Sequence, residues 1–320
     1  MCGRFASARK RLELLEEFRV QRDRVTESLE PDYNVAPTKK VYAVLTRAAK
    51  SAAKQEPHPA GSSPGDPSPA STGRGAPQSG DDGREARELR VLRWGLVPSW
   101  AKDTSIGSRL INARAETVAV KPSFKRAFAR RRCLLPADGF YEWLAVTDQG
   151  RAAKQPYYIH RPDGGGLAFA GVYELWRDAA FPDDHPDAWL WTATIITTSA
   201  TDDVGRIHDR MPMVIEPAGW TDWLDPAMTD PGELQHLLQP AVSGGLASYP
   251  VSMAVNSVRN NGPELITPLT SGALTPDVLP AGHPHPPDRP KPSVPEPAGT
   301  GLSSTGQSEG ISGKSPGTLF

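Results

Sequence analysis

Apolar and polar positions alternate along this chain with a period that changes several times. In 7–18, Leu12, Leu15 and Phe18 recur at helical spacing while charged residues fill the other face. This predicts a helix ending at Phe18, with Ser7 as its cap. The stretch 31–37 carries too many prolines for a helix and reads as an ordered loop. Positions 41–45 and 89–94 are β-branched and apolar enough for strands. Segment 95–100 reads as a turn carrying aromatics, and 109–117 as a polar segment. A short basic helix is predicted over 121–131, with Phe124 and Phe128 on its buried face. Strand-like runs follow at 133–136, 140–144, 157–160, 167–175, 189–198 and 211–215, separated by turn residues such as Asp163-Gly164-Gly165-Gly166. Short helices are predicted at 220–224 and 232–238, and a last strand at 251–255, just after Tyr249-Pro250.

Two stretches break the pattern. Residues 51–87 contain no Leu, Ile, Val, Phe, Tyr or Trp. Such a segment buries too little apolar surface to offset its ordering entropy, so a disordered insertion is expected over about 50–88. A loop of that length need not divide a domain, because closure entropy grows slowly with length. The composition turns Pro-, Gly- and Ser-rich again toward the end, and 271–320 reads as a disordered tail. What remains, 1–270, is expected to be one α+β domain. It would be built on a largely antiparallel, barrel-like sheet with short helices.

Composition sharpens this picture. Pro (33) and Gly (29) make up about a fifth of the chain, as an ordered core diluted by flexible segments requires. A net charge of −1 excludes a uniformly basic nucleic-acid binder but leaves room for a local basic patch. The two cysteines, Cys2 and Cys133, give no disulfide framework, which fits a reducing cytoplasm. Cys133 lies in an apolar run and reads as a buried thiol. No apolar run approaches the ~18 residues needed to cross a bilayer. A phosphate loop, an HExxH motif and a CxxC pair are absent, so no metal or cofactor is expected.

Four polar residues are candidates for chemistry. Cys2 becomes the first residue once Met1 is removed, and then carries a free α-amine and a thiol on adjacent carbons. The amine titrates near pH 8 and the thiol near 8.5, so roughly a tenth of the amine and a few per cent of the thiol are nucleophilic at neutral pH. An amine condenses with an aldehyde to a Schiff base, and the neighbouring thiol can then close a thiazolidine. Glu142 lies among aromatics in Gly139-Phe140-Tyr141-Glu142-Trp143. It is either a solvent-facing strand residue or a desolvated carboxylate that exchanges protons near neutrality. His208, just before a strand, is either a loop histidine or a proton shuttle. Asn112 is either a helix cap or a group that holds an oxyanion or orients a reacting sugar. Arginines and tryptophans interleave around these points: Arg4, Arg93, Trp94, Trp100, Arg109, Arg114, Arg126 and Arg210, with Lys125. Such residues suit phosphates and unpaired bases, or simply a charged surface over an aromatic core.

The order of Met1-Cys2-Gly3-Arg4-Phe5, Asn34-Val35-Ala36-Pro37, Arg93-Trp94-Gly95-Leu96-Val97-Pro98-Ser99-Trp100, Asn112-Ala113-Arg114-Ala115-Glu116-Thr117, Gly139-Phe140-Tyr141-Glu142-Trp143 and His208-Asp209-Arg210-Met211-Pro212 resembles the SRAP family, the SOS response-associated peptidases. The resemblance spans about residues 2 to 265. It implies a monomeric, nucleoid-associated cytoplasmic protein that captures abasic sites in single-stranded DNA or at single- to double-strand junctions. The product would be a thiazolidine DNA–protein crosslink. The resemblance assigns Cys2 as double nucleophile, Glu142 as base to the α-amine, His208 as the group that opens the sugar ring, and Asn112 as orienter. Self-removal of Met1 and abasic-site lyase activity are implied less directly. Arg4, Pro37, Trp94, Arg114, Lys125 and Arg126 match positions of the family's DNA channel, with Pro37 or Trp94 as a wedge beside the lesion. The competing expectation is an N-terminal-nucleophile amidohydrolase, in which Cys2 attacks an amide and its own amine is the base.

Overall fold

The computed structural model describes residues 2–47, 86–148, 151–182, 185, 188–239 and 245–269. Nearly all of the expected insertion, and the expected tail, lie outside the described residues. The elements in chain order begin with β1 (Phe5–Ser7), α1 (Arg11–Glu17), β2 (Arg22–Asp23), β3 (Asp32–Val35), β4 (Lys40–Arg47) and β5 (Ala86–Trp94). They continue with β6 (Asn112–Arg114), α2 (Lys125–Arg130), β7 (Arg132–Ala137), β8 (Gly139–Asp148), β9 (Arg151–His160), β10 (Leu167–Arg177) and β11 (Trp189–Ser199). The last are α3 (Asp202–Ile207), β12 (Arg210–Pro212), α4 (Trp220–Leu224), α5 (Pro231–His236) and β13 (Ala247–Pro250).

Strands β5, β4, β7, β10 and β11 pair antiparallel in that order, and β11 returns to β5 in a short parallel pairing, Thr192 with Arg93 and Ala193 with Trp94. The sheet thus closes into a five-stranded barrel, which removes the exposed edges an open sheet would leave. A second, wholly antiparallel sheet runs β13-β9-β8-β1-β3. The expected α+β class with a largely antiparallel barrel is the fold observed. Alternation along β4 explains the layering. Val41, Ala43 and Leu45 join the cluster that holds Phe5 and Phe140 of the second sheet, while Tyr42 and Val44 join the cluster under the helices. Among the described residues, no helix is long and apolar enough to cross a membrane.

Several local expectations give way. Ser7 ends β1 and caps nothing; α1 starts four residues later, with Glu13 accepting the backbone N–H of Lys10 at 3.3 Å. The buried residues are Leu14 on α1 and Phe18 at its C-terminal cap, and Leu12 is 76% exposed. Phe18 stacks on Trp220 at 4.4 Å, and that contact sets the helix's rotation. Within the expected proline loop, Asp32–Val35 forms a strand, because Pro31 and Pro37 stand outside it and remove no ladder hydrogen bond. The strand after the insertion begins at Ala86 rather than Leu89. Glu88, invisible as a strand residue in the sequence, is buried on β5 and accepts from Arg90 at 2.7 Å. The last strand ends at Pro250, and the expected strand at 251–255 is instead a 3-10 turn, Met253–Asn256.

Candidate active site

The amino-terminal segment is held on both sides. Phe5 pairs with Val35 of β3 and with Phe140 of β8, and the N–H of Tyr141 donates to Arg4 O at 2.9 Å. Running back from Phe5, the chain carries Cys2 past Glu142 into the apolar cluster, where Cys2 is 0% exposed. Strand β6 pairs with β11 through Asn112 and Ile195, and Ile111 O accepts the indole N–H of Trp94 at 2.9 Å. That anchoring aims the Asn112 side chain at the chain start: its Nδ2 donates to Cys2 O at 2.7 Å. Its Oδ1 is buried with no hydrogen-bond partner among the described residues.

Glu142 is buried on β8. Burial pushes its carboxyl up to about 7, against the pull of the positive amino terminus; Asp209 adds to the rise and Lys154 opposes it. Burial also pushes the Cys2 thiol up, and the nearby Glu142 carboxylate pushes it further. The thiol is therefore held protonated. His208 follows α3, its N–H donating to Val204 O at 3.0 Å. Its Nδ1 accepts the N–H of Arg210 at 2.9 Å, which places the proton of a neutral ring on Nε2. Burial lowers its pKa, consistent with a neutral ring. The exposed Asp209 carboxylate lies 2.9 Å from the same Nδ1 and binds it only when the ring is protonated.

Glu142 and His208 line one open cleft of about 600 Å³, together with Trp143, Lys154 and Asn256. The structure thus brings together Cys2, Asn112, Glu142 and His208, which the sequence scatters over two hundred positions. Arg210 joins two of the segments. Its guanidinium donates to both oxygens of Glu116, at 2.6 and 3.0 Å, and to Thr197 O at 2.6 Å, tying the loop of His208 to the end of the Asn112 strand.

The expected DNA contacts scatter more. Arg4 is half-buried, donates to Asn34 Oδ1 at 2.7 Å and Val255 O at 2.9 Å, and lies over the Trp143 ring at 5.9 Å. Pro37 is partly exposed on a turn whose next residue, Thr38, has φ 72. Arg114 is exposed, two residues beyond Asn112. Lys125 and Arg126 are exposed on α2, which packs on β7, β10 and α5; none of these lines the cleft. Trp94 corrects the expectation of a wedge. It is fully buried, edge-on to Phe5 at 5.1 Å, and offers no face to a base. Trp100, on the following turn, is 57% exposed. Lys154 and Asn256 were not legible as site residues, because neither sits in a stretch with other chemical candidates. Gly95 of the same motif is required by the backbone: its φ is 124, and a Cβ there would meet Gly107 O at 2.6 Å. Among the described residues, no group of three His, Cys, Asp or Glu side chains could hold a metal ion.

Comparison with known proteins agrees with this geometry. The family model described as SOS response associated peptidase (SRAP) matches residues 1–258. Abasic site processing protein YoqW of Bacillus subtilis is 37% identical over 266 residues, 83% of this chain and 99% of YoqW. Abasic site processing protein HMCES of Gallus gallus is 35% identical over 209 residues, 58% of this chain and 59% of HMCES. Among solved structures, a Bacteroides thetaiotaomicron protein covers 84% of this chain and 100% of its own at a TM-score of 0.59 and 24% identity, a likeness of fold. With the amino-terminal cysteine, its asparagine, glutamate and histidine around one cleft and a family model spanning four-fifths of its length, the chain belongs to the SRAP family.

Proposed function

We propose that this protein processes abasic sites in DNA by forming a covalent crosslink through Cys2. The observation that carries the reading is the hydrogen bond from Asn112 to Cys2 O, which holds the chain start beside Glu142 at the cleft of His208. Loss of Met1, whether self-catalysed or not, frees the α-amine of Cys2. As the C1′–O4′ bond of the abasic deoxyribose breaks, His208 gives its Nε2 proton to the ring oxygen and regains one from the C1′ hydroxyl, which leaves the aldehyde. Glu142 takes a proton from the α-ammonium, and the amine adds to the aldehyde carbon. Loss of water gives an imine. The Cys2 thiol then adds across that C=N bond, its proton passing to nitrogen, and a thiazolidine closes. A thiol kept protonated suits this order, amine first and sulfur second. The same imine could lose the 3′ phosphate by β-elimination, which would be the lyase activity.

Single-stranded DNA is the substrate this reading favours, since an unpaired strand can bring its sugar to a buried amine without breaking base pairs. Arg114, Pro37 and the exposed Trp100 are its proposed contacts. Incubation with single-stranded DNA containing an abasic site, followed by denaturing electrophoresis, tests it. The wild type gives a shifted, denaturation-resistant band, and Cys2→Ala gives none. Equal crosslinking by Cys2→Ala would refute the reading. Hydrolysis of a small amide in the absence of DNA, lost in the same variant, would favour the amidohydrolase instead.

A further inference from the structure

A second cavity, of about 370 Å³, lies away from Glu142 and His208, between the loop after β2 and the paired strands β4, β5 and β11. Lys40, Arg24, Arg90 and Arg93 line it beside Trp189 and Trp191. The two tryptophans differ. Trp191 is stacked on Tyr173 at 5.7 Å and carries the guanidiniums of Arg90 at 4.3 Å and Arg47 at 5.6 Å, so its faces are spoken for. Trp189 is 46% exposed and carries one more distant guanidinium, that of Arg177 at 6.0 Å from its ring.

The cations also divide into two kinds. Arg90 and Arg24 share the carboxylate of Glu88, at 2.7 and 3.7 Å. Lys40 and Arg93 have no carboxylate partner among the described residues, and they sit directly opposite each other in the β4–β5 ladder. Two like charges in that position repel across a strand pair and destabilise it. The exposed Glu27 is the only acid among the described residues that line the cavity. An anion between Lys40 and Arg93 would relieve the repulsion, and a ring on Trp189 would cover exposed aromatic surface. Lys40 follows directly on the turn that carries Pro37, and its neighbour Lys39 binds Asp32 and the backbone of Asn34, the partner of Arg4.

We propose that this groove is a second binding site for single-stranded DNA, with phosphates on Lys40 and Arg93 and a base on Trp189, engaging the strand beyond the part held at the cleft. It rests on the abasic-site reading for the identity of the strand, but its test needs no lesion. Anisotropy titrations with labelled, lesion-free oligonucleotides of about 5 and about 16 nucleotides separate the two sites, since only the longer one is able to reach both. Lys40→Glu should weaken the longer oligonucleotide about tenfold, flatten its salt dependence, and leave the shorter one unchanged. Trp189→Ala should weaken the longer one by a similar factor and abolish the part of the tryptophan quenching seen only with it. Lys40→Arg should bind as wild type does. Crosslinking of Lys40→Glu to a short abasic oligonucleotide should match wild type, which shows an intact cleft independently. Equal binding of the longer oligonucleotide by wild type and both variants would overturn the proposal. So would an equal loss for both lengths.

Discussion

Two regions of this molecule bury charged or polar groups, and they treat them in opposite ways. Behind the barrel, Arg132 is buried and its guanidinium is fully used. It donates to Trp223 O at 2.7 Å, to Phe128 O and Ala129 O at 3.0 Å, to Met228 O at 2.9 Å, and to Asp225 O. These carbonyls end α2 and α4 or follow α4, where helices leave acceptors without intrahelical partners. At the cleft, by contrast, Asn112 Oδ1 and Arg4 Nε are buried without hydrogen-bond partners among the described residues, and burial holds the Glu142 carboxyl near 7. Buried polar groups are normally satisfied, and each exception costs stability. The satisfied guanidinium of Arg132 builds the fold; on the proposed reading, the unspent oxygen of Asn112 is capacity held for a substrate.

The comparison is testable by substitution. Arg132→Met should cost the most, about 3–5 kcal/mol in urea unfolding, because it strands the carbonyls of two helix ends without donors. A cost below about 1 kcal/mol would mean that water replaces the guanidinium and the two regions are alike.

Glu142→Gln should do the reverse. The folded carboxyl titrates at about 7 against an ordinary value of 4.5, so between these pH values the folded state keeps a proton the unfolded chain has lost. Wild-type stability therefore falls as pH rises through that window, and the penalty is complete above 7. The amide removes it, a gain of roughly 3 kcal/mol at most at pH 8 and none at pH 4, read from unfolding at both pH values. Crosslinking by the same variant should slow by about 10²–10⁴ and lack the rise in rate through pH 7 expected of the wild type.

Asn112→Ala removes one hydrogen bond to Cys2 O together with an unsatisfied oxygen. Its stability should change by less than about 1 kcal/mol, while crosslinking slows by at least about tenfold. A large loss of stability with an unchanged rate would place Asn112 with Arg132 instead. The smallest effect belongs to Thr38, a β-branched residue at φ 72 beside Pro37. Thr38→Asn should relieve about 1 kcal/mol and raise Tm by about 2–4 °C, measured calorimetrically.

Much of the candidate site was legible before any fold. Cys2, Asn112, Glu142 and His208 each sit in a short motif whose residue types limit the chemistry, and the order of those motifs identified the family. The proposed DNA contacts were less legible. Trp94 and Trp100 bracket one short segment of the sequence, yet one is in the core and the other in solvent. Of the Lys40–Arg93 groove only Arg93 stood out, because its cations come from different strands and meet only through the register of a ladder.

The sequence alone determined the class of fold, through periods of two and of 3.6 and the residues that interrupt them, and it determined which groups are available to react. Those properties are local, since propensity and intrinsic reactivity belong to a residue and its near neighbours. Only the tertiary structure decided which of those groups share a cleft, which tryptophan keeps an open face, and that a glutamate on a strand titrates near neutrality. Each of these depends on burial and on distance between chain segments far apart in sequence, and both quantities exist only once the barrel has closed.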